Sequence, residues 1–273
     1  MSAGLRAFAE LVSAPDTDID LGLGALLIAQ IEHGPIDAAA ELERLDDLAA
    51  RSGAAAVGDP VHALHRLREF LFEEEGFRGN TDDYYDPRNS CLKDVLDRRI
   101  GIPITLSLVM MEIGRRVGLP IVGVGLPGHF VVRADVAAEP VLLDPFDGGA
   151  IVTHEGAAAL VARALGRSVA LTEAHFAPVG RRQILTRMLL NLKSAYARCR
   201  GWEKALTICD YLLTLDRSPV HVRDRGTALV KLGEVQRGLA DWERYLSAAP
   251  DADDAGRVRA QLRRLRQHLA ALN

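Results

Sequence analysis

The sequence is poor in the residues that mark several large classes of protein. Of its 273 residues only three are cysteines, Cys91, Cys199 and Cys209, and no two of them form a CxxC pair. That argues against a disulfide framework or a zinc knuckle and fits a reducing compartment. No aromatic residues interleave with the arginines of the C-terminal segment, as base stacking would need. No run approaches the ~18 consecutive apolar residues of a membrane span. The opening stretch, MSAGLRAFAELVSAPDTD, has neither the charged start nor the long apolar run of a secretory leader; it reads as a short amphipathic helix. A cytoplasmic location is expected. A formal charge of −4 provides no general pull toward nucleic acid, so such a partner is not expected.

What is present suits a protein with a real core: 48% of residues are hydrophobic and 26% charged. Residues 1 to about 75 read as helices. Leu21, Leu23, Leu26, Leu27, Ile28 and Ile31 form a broad apolar face that Gly34-Pro35 stops. Ala39 to Ala50 and Val61 to Phe72 repeat the helical period. Residues 73–90, EEEGFRGNTDDYYDPRNS, form a polar, turn-rich loop. A short helix over Leu92 to Arg99, ended by Gly101, comes next. A longer one begins at Pro103, whose missing N–H is harmless at the first helical position, and stops at Gly118-Leu119-Pro120. Ile121 to Val124, Phe130 to Arg133 and Pro140 to Leu143 predict short antiparallel strands.

From about residue 180 the chain is helical and repetitive. Gly226, Gly233, Gly238, Trp242 and Pro250 take the turn, close-packing and exit positions of a helical hairpin of about 34 residues starting near Pro219. Leu192, Tyr196, Ala205 and Asp216 hold matching places in a preceding unit. Small residues are required where paired helices touch, and a bulky aromatic fills the opposite hole. Two tetratricopeptide-like units capped by a C-terminal amphipathic helix are expected. That last helix carries Arg257, Arg259, Arg263, Arg264 and Arg266 on its polar side, read as a solvated face or, less simply, a phosphate-binding stripe.

The chemistry lies between residues 89 and 149. A cysteine acyl-transfer site needs a thiolate at a helix N-terminus, a histidine within reach and a carboxylate orienting that histidine. His129 stands on a strand just after Pro127-Gly128, and Asp144 ends the next strand, so adjacent antiparallel strands would bring the two together.

The motifs FLFEEEGFRGNTDDYYDPRNS, VLDRRIGIPITLS, GLPGHFVVR and LLDPF resemble the transglutaminase-like superfamily with its papain-type core, and more closely the SirB-type bacterial proteins, which add C-terminal tetratricopeptide-like repeats. The resemblance implies an α+β fold. A helical N-terminal segment and a papain-like core (about 61–178) would fill residues 1–178, and an all-α repeat tail residues 179–273. It also implies that His129 and Asp144 match the superfamily's histidine and aspartate. The cysteine does not match: its slot falls near Pro103, where the chain reads Ile102-Pro103-Ile104-Thr105. Thr105 is the hydroxyl near that slot, and an internal threonine lacks the α-amino base that activates N-terminal threonine nucleophiles.

Cys91 lies about a dozen residues too early and reads either as a small buried apolar residue or as a displaced nucleophile. His129 and Asp144 then line a decommissioned groove, serve structure alone, or retain catalysis. Arg78, Asn80, Tyr84, Tyr85 and Asn89 form a loop that pins the N-terminal helices or rims the groove. His62 and His65 lack partners at zinc spacing, and no metal or cofactor is expected. The expected role is a non-enzymatic adaptor or regulatory protein that meets a protein or peptide through residues 180–273. The alternative is a cysteine-type hydrolase or acyltransferase using Cys91, His129 and Asp144.

Overall fold

A computed structural model describes residues 2–271. They fold as two compact units, Ser2–Asn191 and Leu192 onward. The first is α+β with a small antiparallel sheet, and the second is helical throughout.

Helix starts in the first unit follow from local side chains. Helices α1 (Ala3–Leu11), α2 (Leu21–His33), α3 (Ala38–Ser52) and α4 (Pro60–Glu69) all begin after a capping Ser or Asp. Ser2, Asp20, Asp37 and Asp59 accept the N–H groups of Leu5, Leu23, Ala40 and His62, a contact worth ~1 kcal/mol per helix. Helix α4 widens into one π turn, Phe70–Glu74, which buries Phe70 and Leu71.

The polar loop that follows is more ordered than its composition predicts. Strand β1 (Arg78–Gly79) pairs in parallel with β2 (Ile100–Gly101), and between them lie a 3-10 turn at Pro87–Ser90 and helix α5 (Leu92–Arg98). Helix α5 ends one residue earlier than the glycine signal implied. Arg99 takes the left-handed cap at φ 58°, held by its ion pair to Glu75 at 2.8 Å and by stacking over Phe77.

Helix α6 (Pro103–Arg116) is the centre of this unit, buried from Pro103 through Gly114. It meets α2, α3 and α5 on the helical side and strands β3 (Ile121–Val124) and β4 (Val131–Ala134) on the other. A Cβ on Gly114 would lie 2.6 Å from Ile121 Cδ1, so only glycine lets β3 approach this closely. The sheet continues through β5 (Val141–Asp144) to β6 (Ala150–Ile151) in the order β3-β4-β5-β6, all antiparallel, with Val132 opposite Leu143. Strands β4 and β5 start one residue later than expected, because Gly128 turns at φ 74° just upstream and Pro140 has no N–H for a ladder.

Helix α7 (His154–Leu165) was not anticipated from the sequence; Thr153 caps it through the N–H of Gly156. Helix α8 (Arg181–Arg198) starts in the first unit, where the Asp16 carboxylate accepts the N–H groups of both Arg181 and Arg182 at 2.9 Å. It thus caps a helix 165 residues away in sequence.

In the second unit α9 (Trp202–Leu215), α10 (Pro219–Lys231), α11 (Val235–Ala248) and α12 (Ala255–Ala270) stack as hairpins. Gly226 and Gly238 let α10 and α11 touch: a Cβ on either would fall within 2.9 Å of the other's carbonyl oxygen. The Trp242 indole N–H reaches back to Arg223 O at 3.2 Å, and Arg225 grips the buried Asp241 with two bonds of 2.7 and 2.9 Å. That forked, charge-assisted contact fixes the register of α10 on α11.

Candidate functional site

Residues from five parts of the first unit converge on one cavity of about 460 Å3. Strand pairing between β4 and β5 sets its centre. His129 precedes β4 and Asp144 ends β5, and His129 Nε2 lies 2.8 Å from Asp144 Oδ2. A carboxylate accepts only, so it holds the ring proton on Nε2 and leaves Nδ1 as the nitrogen for a ligand. The other oxygen, Asp144 Oδ1, accepts the Phe146 N–H at 3.0 Å. Asp144 is 2% exposed, so the pair works in a weakly screened environment.

Two further contacts fix the imidazole. Phe146 presents its ring edge-on at 6.3 Å, and Arg187 on α8 donates to the His129 carbonyl at 2.7 Å and to Leu126 O at 3.2 Å. Burial pulls the Arg187 guanidinium below its usual pKa, partly opposed by the nearby Tyr84 phenol. Phe146 is seated against Gly79, where a Cβ would come within 2.7 Å of its ring and its carbonyl oxygen. The parallel pairing of β1 with β2 thus positions an aromatic wall of the cavity. Tyr84 meets Phe146 edge-on at 6.0 Å and Tyr85 at 5.3 Å. Burial, with Tyr85 adding to it, raises the Tyr84 phenol above its usual pKa, so it remains a neutral donor.

Pro103, the first residue of α6, lines the same cavity. Pro103 and His129 thus face one cavity. Thr105 is fully buried and committed elsewhere. Its Oγ1 donates to Asn89 O at 2.7 Å and accepts the Ile102 N–H at 3.1 Å. Cys91 is also fully buried, as the residue before α5, with Sγ 3.7 Å from Pro87 O. No cysteine is among the residues lining the cavity.

The loop residues divide. Tyr84 and Tyr85 line the cavity. Asn80 and Asn89 do not: Asn80 Nδ2 donates to Asn89 Oδ1 at 3.0 Å, and Asn89 Nδ2 to the carbonyls of Asp83 and Tyr84 at 2.7 and 3.2 Å. These two asparagines hold the loop in shape. Arg78 contributes its backbone to β1, bonding Arg99 O. Sequence reasoning missed Thr81, Gly128, Phe146, Asp147 and the α7 residues Leu160, Arg163 and Ala164 that complete the lining. Arg187 was missed too, since nothing local ties it to a histidine 58 residues away. Among the described residues no group of three His, Cys, Asp or Glu could hold a metal ion.

Comparison with known proteins agrees with this architecture. Residues 39–190 match the model of the transglutaminase-like superfamily, and residues 192–263 a tetratricopeptide repeat model. A UPF0162 protein of Xylella fastidiosa (strain 9a5c) is 36% identical over 264 residues, covering 92% of each chain. The UPF0162 protein of Vibrio cholerae is 31% identical, covering 73% of this chain and 76% of its own. Human F-box only protein 21 is 40% identical over 84 residues, which is 31% of this chain and 13% of that one.

Proposed function

The chain belongs to the transglutaminase-like superfamily, alongside the UPF0162 proteins, and from that premise we propose that it is a binding or adaptor protein rather than a thiol acyltransferase. One observation carries the proposal: Pro103, which the superfamily resemblance assigns to the nucleophile's slot, lines the cavity with His129, and no cysteine lines it. Acyl transfer through a thioester requires a thiolate beside the imidazole. The paired His129 and Asp144 remain as a rigid polar end to a pocket with an aromatic wall, suited to a ligand that donates to Nδ1. Stacked hairpins such as α9–α11 offer extended surfaces to peptides, and residues 180–273 are proposed to meet the protein partner. No helix among the described residues is long and apolar enough to cross a membrane. A cytoplasmic site of action and the SirB-type grouping belong to this same proposal.

The hydrolase alternative requires Cys91 to reach His129, and its position before α5 with Sγ toward Pro87 O gives that route no support. The test is twofold. Random peptides displayed on phage and selected on the full chain are expected to yield sequences that bind in solution at micromolar Kd or better. Ester and amide substrates are expected to show no turnover. Turnover abolished by His129→Ala, with no peptide selected, would reverse the proposal.

A further inference from the structure

A second cavity, of about 390 Å3, lies within the repeat unit between α10, α11 and α12. Its volume falls near the lower end for small-ligand sites, enough for a short stretch of extended chain. Trp242, Val230 and Leu265 give it an apolar floor, and the side chains around that floor include Lys231, Arg264 and His268 but no carboxylate.

Lys231 and Arg264 combine a place on the cavity wall with the lack of a carboxylate partner. On α10, α11 and α12, Arg223, Arg225, Arg237, Arg244, Arg257 and Arg266 each meet an Asp or Glu. Among the described residues Arg264 and Lys231 meet none, and neither do Arg259 and Arg263, which lie outside the cavity lining. The Lys231 ammonium lies over the Trp202 ring at 6.0 Å. Two cations without a carboxylate partner on the wall of one apolar-floored cavity leave charge available there for an external anion. The polar groups on the opposite side are already engaged. Thr227 Oγ1 donates to Arg223 O at 3.1 Å and lies 3.3 Å from the Trp242 indole nitrogen, which stiffens the floor.

We propose that this cavity is a docking site for an acidic peptide segment, whose carboxylates meet Lys231 and Arg264 while an adjoining apolar side chain rests on Trp242, Val230 and Leu265. The proposal rests on the reading of the repeat unit as a partner-binding surface and adds the partner's chemistry and place. A carboxylate suits a guanidinium because two parallel bonds can form, and it favours a peptide that presents Asp or Glu beside Leu or a similar residue.

The experiment uses the full chain and fluorescein-labelled ten-residue peptides alternating Glu with Leu, Gln with Leu, or Lys with Leu, read by anisotropy. The Glu peptide should bind at least about tenfold tighter than the Gln peptide, since its charges meet two cations that lack a carboxylate partner. Its affinity should fall steeply as salt rises. The combined substitutions Lys231→Gln and Arg264→Gln should remove that advantage and leave Gln-peptide binding unchanged. Both side chains are exposed, so an unaltered melting curve and unaltered tryptophan emission would show that the variant is folded.

Equal affinity for Glu and Gln peptides, or a variant that holds the Glu peptide as tightly as the wild type, would overturn the inference. Tighter binding of a single-stranded RNA oligonucleotide would do so as well, in favour of a phosphate site. Selection of only neutral or basic peptides, insensitive to both substitutions, would sink this inference and leave the adaptor reading intact. Failure of every peptide class and of a random library would remove both.

Discussion

Replacing Pro103 by cysteine probes the cavity directly. The position is the first residue of a 14-residue helix, and it shares a cavity with His129, whose ring Asp144 holds at 2.8 Å. A thiol there meets a helix N-terminus and an imidazole, the two features that lower cysteine pKa values from about 8.5 into the range ~3.5–7.5. Taking about 6 as a middle value, the thiolate fraction at pH 5.5 rises from about 0.1% to about 24%, roughly 240-fold. A less basic thiolate is also a weaker nucleophile; with a Brønsted slope of about 0.45 the loss is roughly 13-fold. The net expectation is disulfide exchange faster by about 20-fold at pH 5.5, and by only about twofold at pH 7.

The assay follows release of thiopyridone from an aromatic disulfide probe, in a Cys199→Ser background because Cys199 is exposed while Cys91 and Cys209 are buried. Loss of the proline should cost no more than about 1 kcal/mol, through the greater freedom of the unfolded chain. Adding His129→Ala should return most of the acid-pH enhancement. A Pro103→Cys thiol that reacts at the ordinary rate at pH 5.5, with or without His129, would show that Pro103 is not in the nucleophile's place.

Other substitutions test the supporting structure. Gly79→Ala forces a methyl to within 2.7 Å of Phe146 and should cost about 1–3 kcal/mol of stability by overpacking, read as a lower midpoint in urea unfolding. Asp144→Ala strands the Phe146 N–H and frees the imidazole. A loss of about 1–3 kcal/mol is expected for the buried unpaired donor, and the His129 ring resonances should broaden. Asp241→Ala removes the forked partner of Arg225, whose pKa that carboxylate raises; because Asp210 remains 3.3 Å away, about 2 kcal/mol is expected rather than the full cost of an orphaned charge. Burial pushes the Cys209 thiol up to about 12 from its usual 9.0. The unfolded chain then ionises first, so this contribution is complete below pH 9 and is lost as pH rises toward 12. Cys209→Ala should flatten that alkaline decline, as seen in Tm against pH.

How far the sequence disclosed this structure depended on the range of the interactions involved. The first four helices were legible because each carries its own apolar stripe, whereas their caps were not read. Helix α6 was legible because proline at the first position and Gly118-Leu119-Pro120 at the end are local signals. The His129–Asp144 contact could be anticipated from two adjacent antiparallel strands, since strand pairing converts a spacing of fifteen residues into a hydrogen bond. The missing thiol was equally visible, because a cysteine is present at a position or it is not.

Phe146, Arg163 and Arg187 were hidden for the opposite reason: the first two line the cavity and the third holds the His129 backbone through tertiary placement that leaves no local pattern. The parallel β1–β2 pair was hidden too, as two residues per strand carry no periodicity. The loop at 73–90 was read as pinning the N-terminal helices or rimming the groove; its asparagines bond within the loop itself, while Tyr84 and Tyr85 line the cavity. The expected domain division after residue 178 and the compact units' division at Asn191 differ by the first part of α8, whose N-terminus Asp16 caps.

Intact-mass analysis of the full chain after incubation with peptide thioesters tests the central claim most directly. The thiol-free cavity predicts no acyl adduct on any residue of the first unit, with modification confined to the exposed Cys199 and unaffected by His129→Ala. A stoichiometric acyl adduct mapped to Cys91, and lost when His129 is replaced by alanine, would contradict it.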